Sequence, residues 1–239
     1  MLWFMEGMCF WPSFLVISSS STFIVSYVIA LFKRDVDVLF PYISDTGANP
    51  PESCIFGLMT AITSFTGMVT MYARYKFVEK LSERTNGVSP CLNKTALWIG
   101  MLSCLGMSFV ATFQETTVTV VHDAGALLFF VCGVVYTILQ SVISYCAHPY
   151  GCSTTLFCTR VAIATIAFLA AFPTIICAGF VTQTSLHRNT GDKDFVFHLV
   201  SAASEWIVAF SFVFFFFTYI QDFKMFTLKI RTEFVEYSY

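Results

Sequence analysis

Pro41-Tyr42-Ile43-Ser44-Asp45-Thr46-Gly47-Ala48-Asn49-Pro50-Pro51-Glu52 sets three prolines, a glycine and two acids between two long apolar runs. Neither run can continue through it, so it reads as an ordered non-helical loop at a membrane surface. Proline fixes φ at Pro41, Pro50 and Pro51 and pushes the preceding residue extended, which leaves few backbone states to lose on folding. Asp45-Thr46-Gly47 is a turn signal, with Asp able to bond the backbone two residues on and Gly free to take positive φ. The stretch ends as a helix start, with Asn49 at the N-cap, Pro50 at the first helical position and Glu52 closing a capping box. A plain reversal between two helices would need no more than this. Pro41, Tyr42, Ser44, Asp45, Gly47, Pro50, Pro51 and Glu52 are the residues it offers as a loop motif.

The composition around this loop excludes a water-soluble domain. Of 239 residues, 56% are hydrophobic and 12% charged, with mean hydropathy +0.73 and 28 phenylalanines, against roughly 25% charged in a soluble domain. A net charge of -2 and the lack of a basic arm leave no footprint for nucleic acid. Crossing a ~30 Å hydrocarbon core takes about 20 apolar residues, and six runs qualify, at about 9–32, 54–72, 95–113, 122–145, 161–181 and 195–220. The first is expected to stay as an anchor, because the residues before it carry Glu6 and no Lys or Arg, unlike a cleaved signal. With no linker, repeat or low-complexity tract, the expectation is an all-α membrane protein. It would be one six-span domain, a six-transmembrane-helix bundle under an ordered first loop.

Lys and Arg placement orients it. One side carries Arg74, Lys76, Lys80, Arg84, Lys94, Arg160, Lys224, Lys229 and Arg231, the other Lys33, Arg34, Arg188 and Lys193. The richer side is expected to be cytosolic, with both termini; Lys33 and Arg34, directly after the first span, run against it. The 41–52 loop is then lumenal, on an acid-rich face. Only Cys54 lies at that border, so no lumenal disulfide framework is expected. Cys146, His148, Cys152 and Cys158 do not have zinc-site spacing. The one glycosylation triplet, Asn93-Lys94-Thr95, falls on the cytosolic side and reads as a chance match.

An ionisable residue in hydrocarbon costs at least ~2.5 kcal/mol even on insertion scales, and so is a functional candidate. Glu205 lies ten residues into the sixth run, about 15 Å deep. His198 is on the same helical face, two turns nearer the lumen, and His122 and Asp123 open the fourth run on that side. Together, His122, Asp123, His198 and Glu205 could form a lumen-facing polar cavity, or be a helix-start acid, interfacial histidines and a carboxyl held by neighbouring hydroxyls. No nucleophile, metal ladder or phosphate loop accompanies them, so no catalytic residue, metal site or cofactor is assigned. Ser18 to Thr22 and the Gly100, Cys104, Ser108 stripe read as helix packing, and Phe212 to Phe217 as a lipid-facing run.

These residues also carry a resemblance. Pro41 to Gly47 with Pro50-Pro-Glu52, Phe113-Gln-Glu115, His122-Asp-Ala-Gly-Ala126, Tyr136 with Gln140-Ser141, Glu205-Trp206 and Thr218-Tyr-Ile-Gln-Asp-Phe223 are similar, nearly end to end, to the damage-regulated autophagy modulator family. The resemblance implies a multi-pass lysosomal membrane protein that promotes autophagy and links tumour-suppressor damage signalling to programmed cell death. It implies no catalytic residue, and hence a non-enzymatic regulator. Its expected partners are the lipid bilayer and other membrane or autophagy proteins, met through the cytosolic loop 73–94 and the C-terminal tail. The alternative is a proton-coupled carrier or lipid-handling protein using the polar cavity.

Overall fold

The computed structural model describes residues 7–182 and 185–229. It is all-helical, with no strand among the described residues. The helices are α1 (Phe10–Lys33), α2 (Glu52–Thr85), α3 (Pro90–Thr112), α4 (Thr119–Cys146), α5 (Thr154–Ala178), α6 (Phe195–Phe217) and the short α7 (Tyr219–Phe223). Six stretches, with α6 and α7 as one, are long and apolar enough to cross a membrane. Each helix packs on the next in the chain, and α1 closes the ring on α6. Alternating direction gives the bundle two ends. The cap end carries the 41–52 loop, the α3–α4 turn and the 179–194 segment. At the terminal end the first described residues meet α7, where Met8 N–H donates to Phe223 O at 2.9 Å.

Hydroxyls and small residues let these helices approach closely. Ser18, Ser19, Thr22 and Ser26 each bond a carbonyl one turn back in α1, and Thr63 of α2 donates to Ser18 Oγ at 3.2 Å. Between α2 and α3, Ser64 bonds both Cys104 O and Ser108 Oγ, while Gly100 lies where a Cβ would strike Tyr136.

Four expectations are corrected. The polar stretch 73–94 is not a loop: α2 continues to Thr85, Asn86 ends it at φ 52°, and α3 starts at Pro90. At 34 residues α2 is about 51 Å long by its rise per residue, well beyond a ~30 Å core. Good helix formers and the Lys76–Glu79 and Lys80–Glu83 pairs sustain it where apolarity stops. The capping box does not form either. α2 starts at Glu52 itself with no side-chain cap, the Asn49 carbonyl accepts from Ser53 N–H, and Glu52 turns to Lys33 instead. Gly47 needs no positive φ; it sits in a 3-10 turn, Asp45–Gly47, where any Cβ would strike Phe56. Finally, Phe212 and Phe215 are buried, and only Phe214 and Phe217 of that run are well exposed, as a period of 3.6 dictates.

Candidate functional site

The 41–52 loop is nailed to the cap end by side chains from three directions. From α1, Ser26 shares a 2.9 Å hydrogen bond with Thr46, and Lys33 Nζ reaches Pro50 O at 2.6 Å and the fully buried Glu52 at 3.2 Å. From α6, Glu205 Oε2 accepts from Ile43 N–H at 3.2 Å, and Trp206 Nε1–H donates to Pro41 O at 2.9 Å. His198 stands edge-on to the Tyr42 ring, centroids 4.7 Å apart, with Nε2 3.9 Å from Asp45. From the α3–α4 turn, Glu115 accepts from Ser44 Oγ at 2.6 Å. Within the loop, Asp45 accepts from Tyr42 N–H and Thr46 donates to Ile43 O. Proline rigidity lowers the entropy of ordering; these bonds choose the one conformation.

Beneath the cap lies a cavity of about 450 Å³, lined by all six spanning helices. Its walls are mainly apolar with scattered hydroxyls, and the charged and histidine side chains that line it are Glu115, His122, Asp123, Arg188 and Glu205. His122 Nδ1 is 2.7 Å from Phe113 O, so that nitrogen carries the proton and Nε2 is left as an acceptor in the neutral ring. Burial pushes the Glu115 carboxyl up to about 8, with the nearby Asp45 charge adding to it. Burial also raises Tyr42 above its usual range. Of the four polar residues singled out within spans, the structure brings His122, Asp123 and Glu205 to this cavity. His198 lies on the far side of Tyr42, facing the loop and a smaller pocket beside Pro41 and Arg188.

A second polar cluster, not anticipated from the sequence, sits near the terminal end. Asp222 Oδ2 accepts from Arg74 at 2.6 Å and from Arg160 at 2.7 Å, all three being at most 1% exposed. Gln140 takes Arg74 Nε, Thr218 and Ser144 take Arg160, and both guanidinium groups lie 5.1 Å from the Tyr219 ring. Arg74 and Arg160, counted above as surface charges, are core residues. Asn93, of the glycosylation triplet, is buried and donates to Tyr75 O at 3.0 Å. No group of three or more His, Cys, Asp or Glu is placed to hold a metal among the described residues.

Residues 7–226 match the family described as Frag1/DRAM/Sfk1/Cwh43P N-terminal domain. The chain belongs to this family. It is 51% identical to DNA damage-regulated autophagy modulator protein 1 of Mus musculus and 49% to that of Homo sapiens, over 98% of this chain and of each relative. DNA damage-regulated autophagy modulator protein 2 of Mus musculus is 42% identical, over 97% of this chain and 89% of the relative. No solved structure matches it.

Proposed function

We propose that this protein is a non-enzymatic modulator of autophagy in the lysosomal membrane, linking tumour-suppressor damage signalling to autophagy and programmed cell death. The observation that carries the proposal is the near full-length identity, 49–51%, to relatives named as damage-regulated autophagy modulators. The reading asks no residue to do bond chemistry; the cap and the triad serve to hold one shape in the bilayer. It has the termini and the projecting half of α2 in the cytosol. In support, with Arg74 and Arg160 set aside as buried, Lys76, Lys80, Arg84, Lys94 and Lys224 still mark the terminal end, while Lys33 on the other side is spent on Glu52 and Asp35. The exposed turns of α2 after Tyr75 would meet partner proteins; the tail beyond residue 229, also named for that role, lies outside the described residues. The test is deletion in cells: damage- or starvation-induced autophagic flux falls and the tagged protein sits in lysosomes. Unchanged flux, or residence in another membrane, overturns the reading.

The cavity favours a second reading, a proton-coupled carrier or lipid-handling protein. Six helices converging on one space with a buried carboxyl at its head is how small-molecule sites in bundles are built. Purified protein in liposomes should move an amino acid under a pH gradient or scramble lipid, and Glu205→Gln should stop it. If nothing moves, or Glu205→Gln behaves as wild type, this reading fails.

A further inference from the structure

Among the residues lining the central cavity, those on α1, α2, α3 and α6 are buried or half-buried. The well-exposed ones are Asp123 and Leu127 on α4, Ile175 and Ala178 on α5, and Gly179 just past its end. The cavity therefore opens sideways through one seam, between the start of α4 and the end of α5, where a bilayer-embedded bundle meets acyl chains. Leu127, Ile175 and Ala178 make that mouth apolar, and Asp123 stands at its rim. Water-soluble ligands have no favourable route through it; a molecule already dissolved in the leaflet does.

The interior wants hydrogen-bond donors. Glu205 is 8% exposed and lines the cavity, with Oε2 accepting from Ile43 N–H. Thr60 is 7% exposed, lines the same space, and its buried Oγ1 has no hydrogen-bond partner among the described residues. Unpaired buried polar atoms cost about 1–3 kcal/mol each, so a ligand that pairs them gains. His122 presents an acceptor nitrogen, the Asp123 and Glu205 carboxyls line the same space, and the one guanidinium there, Arg188, is already engaged by Asp194 and Ser185 O. Below this acceptor-rich head the walls are Phe23, Phe56, Phe130 and Ala209. A volume of about 450 Å³ lies inside the ~300–1,000 Å³ of small-molecule sites.

We infer that the cavity is a binding site for a single-chain membrane amphiphile with an amine head, admitted from the leaflet between α4 and α5. The ammonium supplies three donors to Glu205, Asp123 and the cap acceptors, and the hydrocarbon chain fills the apolar walls toward the mouth. This deepens the cavity-based reading given second above and rests on it only for the site being functional; binding needs no transport, so a bound ligand that never crosses the bilayer would sink the carrier and leave this site standing.

The test uses purified full-length protein in nanodiscs of zwitterionic lipid and a photoreactive, diazirine-bearing hexadecylamine. Labelling should map to cavity-facing positions of α4, α5 and α6. It should be competed by hexadecylamine, about tenfold less well by hexadecanol, and not by hexadecanoic acid. Glu205→Gln should weaken competition by the amine about tenfold. Ala178→Trp, at an exposed position that tolerates bulk without disturbing the core, should block labelling by closing the mouth. Equal competition by amine and acid, or labelling spread over the outer surface and indifferent to Ala178→Trp, overturns the inference.

Discussion

The two ends of the bundle bury charge in opposite ways. Near the terminal end, two arginines close on a single carboxylate, and Gln140, Ser144, Thr218 and the Tyr219 ring fill in around them. At the cap end, carboxyls outnumber cations, buried atoms such as Thr60 Oγ1 and Glu52 Oε1 have no hydrogen-bond partner among the described residues, and the space beneath the cap opens to the leaflet. A satisfied network specifies shape, because its members have nothing left to offer a ligand. An unsatisfied one beside a cavity has paid desolvation without return inside the chain, which is where function is to be sought.

The sharpest way to break this contrast is at the satisfied end. Asp222→Ala strands two buried guanidinium groups and should cost about 3–5 kcal/mol, seen as a large fall in the thermal midpoint of the purified protein. Replacing Arg74 and Arg160 by methionine as well should recover much of that loss, because the stranded charges go with them. If Asp222→Ala melts as the wild type does, the triad is not the lock described here.

At the cap the effects should be smaller. Gly47→Ala drives a methyl into the Phe56 side chain, and overpacking of this kind costs about 1–3 kcal/mol; thermal unfolding measures it, and wild-type stability would mean that the loop gives way. Glu205 separates structure from function within one residue. Glutamine keeps an acceptor for Ile43 N–H, so Glu205→Gln should hold stability within about 1 kcal/mol, whereas Glu205→Leu leaves that N–H unpaired and costs about 1–3 kcal/mol. Equal melting of the two variants would show that the 3.2 Å bond contributes nothing.

Apolar runs made the helices legible, since length and hydropathy are local properties, and the loop announced itself through its prolines. What was not legible is what pairs across the chain. Asp222 meets Arg74 and Arg160 over separations of 148 and 62 residues, and no window contains both partners, so the arginines read as surface charges beside membrane edges. One signal was present: Gln140 and Asp222 stand inside the family-like segments Tyr136…Gln140-Ser141 and Thr218 to Phe223, beside residues with an evident packing role. Glu115 likewise stood in Phe113-Gln-Glu115 and was passed over because it falls in a turn, not in hydrocarbon. The second half of α2 is not legible as a helix in apolar patterning because its helicity rests on propensity and i,i+3 pairs.

Glu115 supplies the gentlest test, one of pH. In the folded protein its carboxyl holds a proton up to about 8, against about 4.3 in an unfolded chain. Across that window the folded state binds more protons than the unfolded, so the contribution of this carboxyl to stability falls as pH rises, is lost through about 8, and is fully present only below about 4.3. Because Glu115 as a residue is half-buried at the edge of the cap, water screens much of the effect, leaving about 1 kcal/mol or roughly fivefold in local opening. Hydrogen exchange at the Ile43 and Gly47 amides, corrected for intrinsic rates, should therefore show greater protection near pH 5 than near pH 8. Glu115→Gln keeps an acceptor for Ser44 Oγ and removes the titration, so the same amides should be protected alike at both values. A pH difference of unchanged size in the variant would place the titrating group elsewhere under the cap and leave Glu115 as a bystander to it.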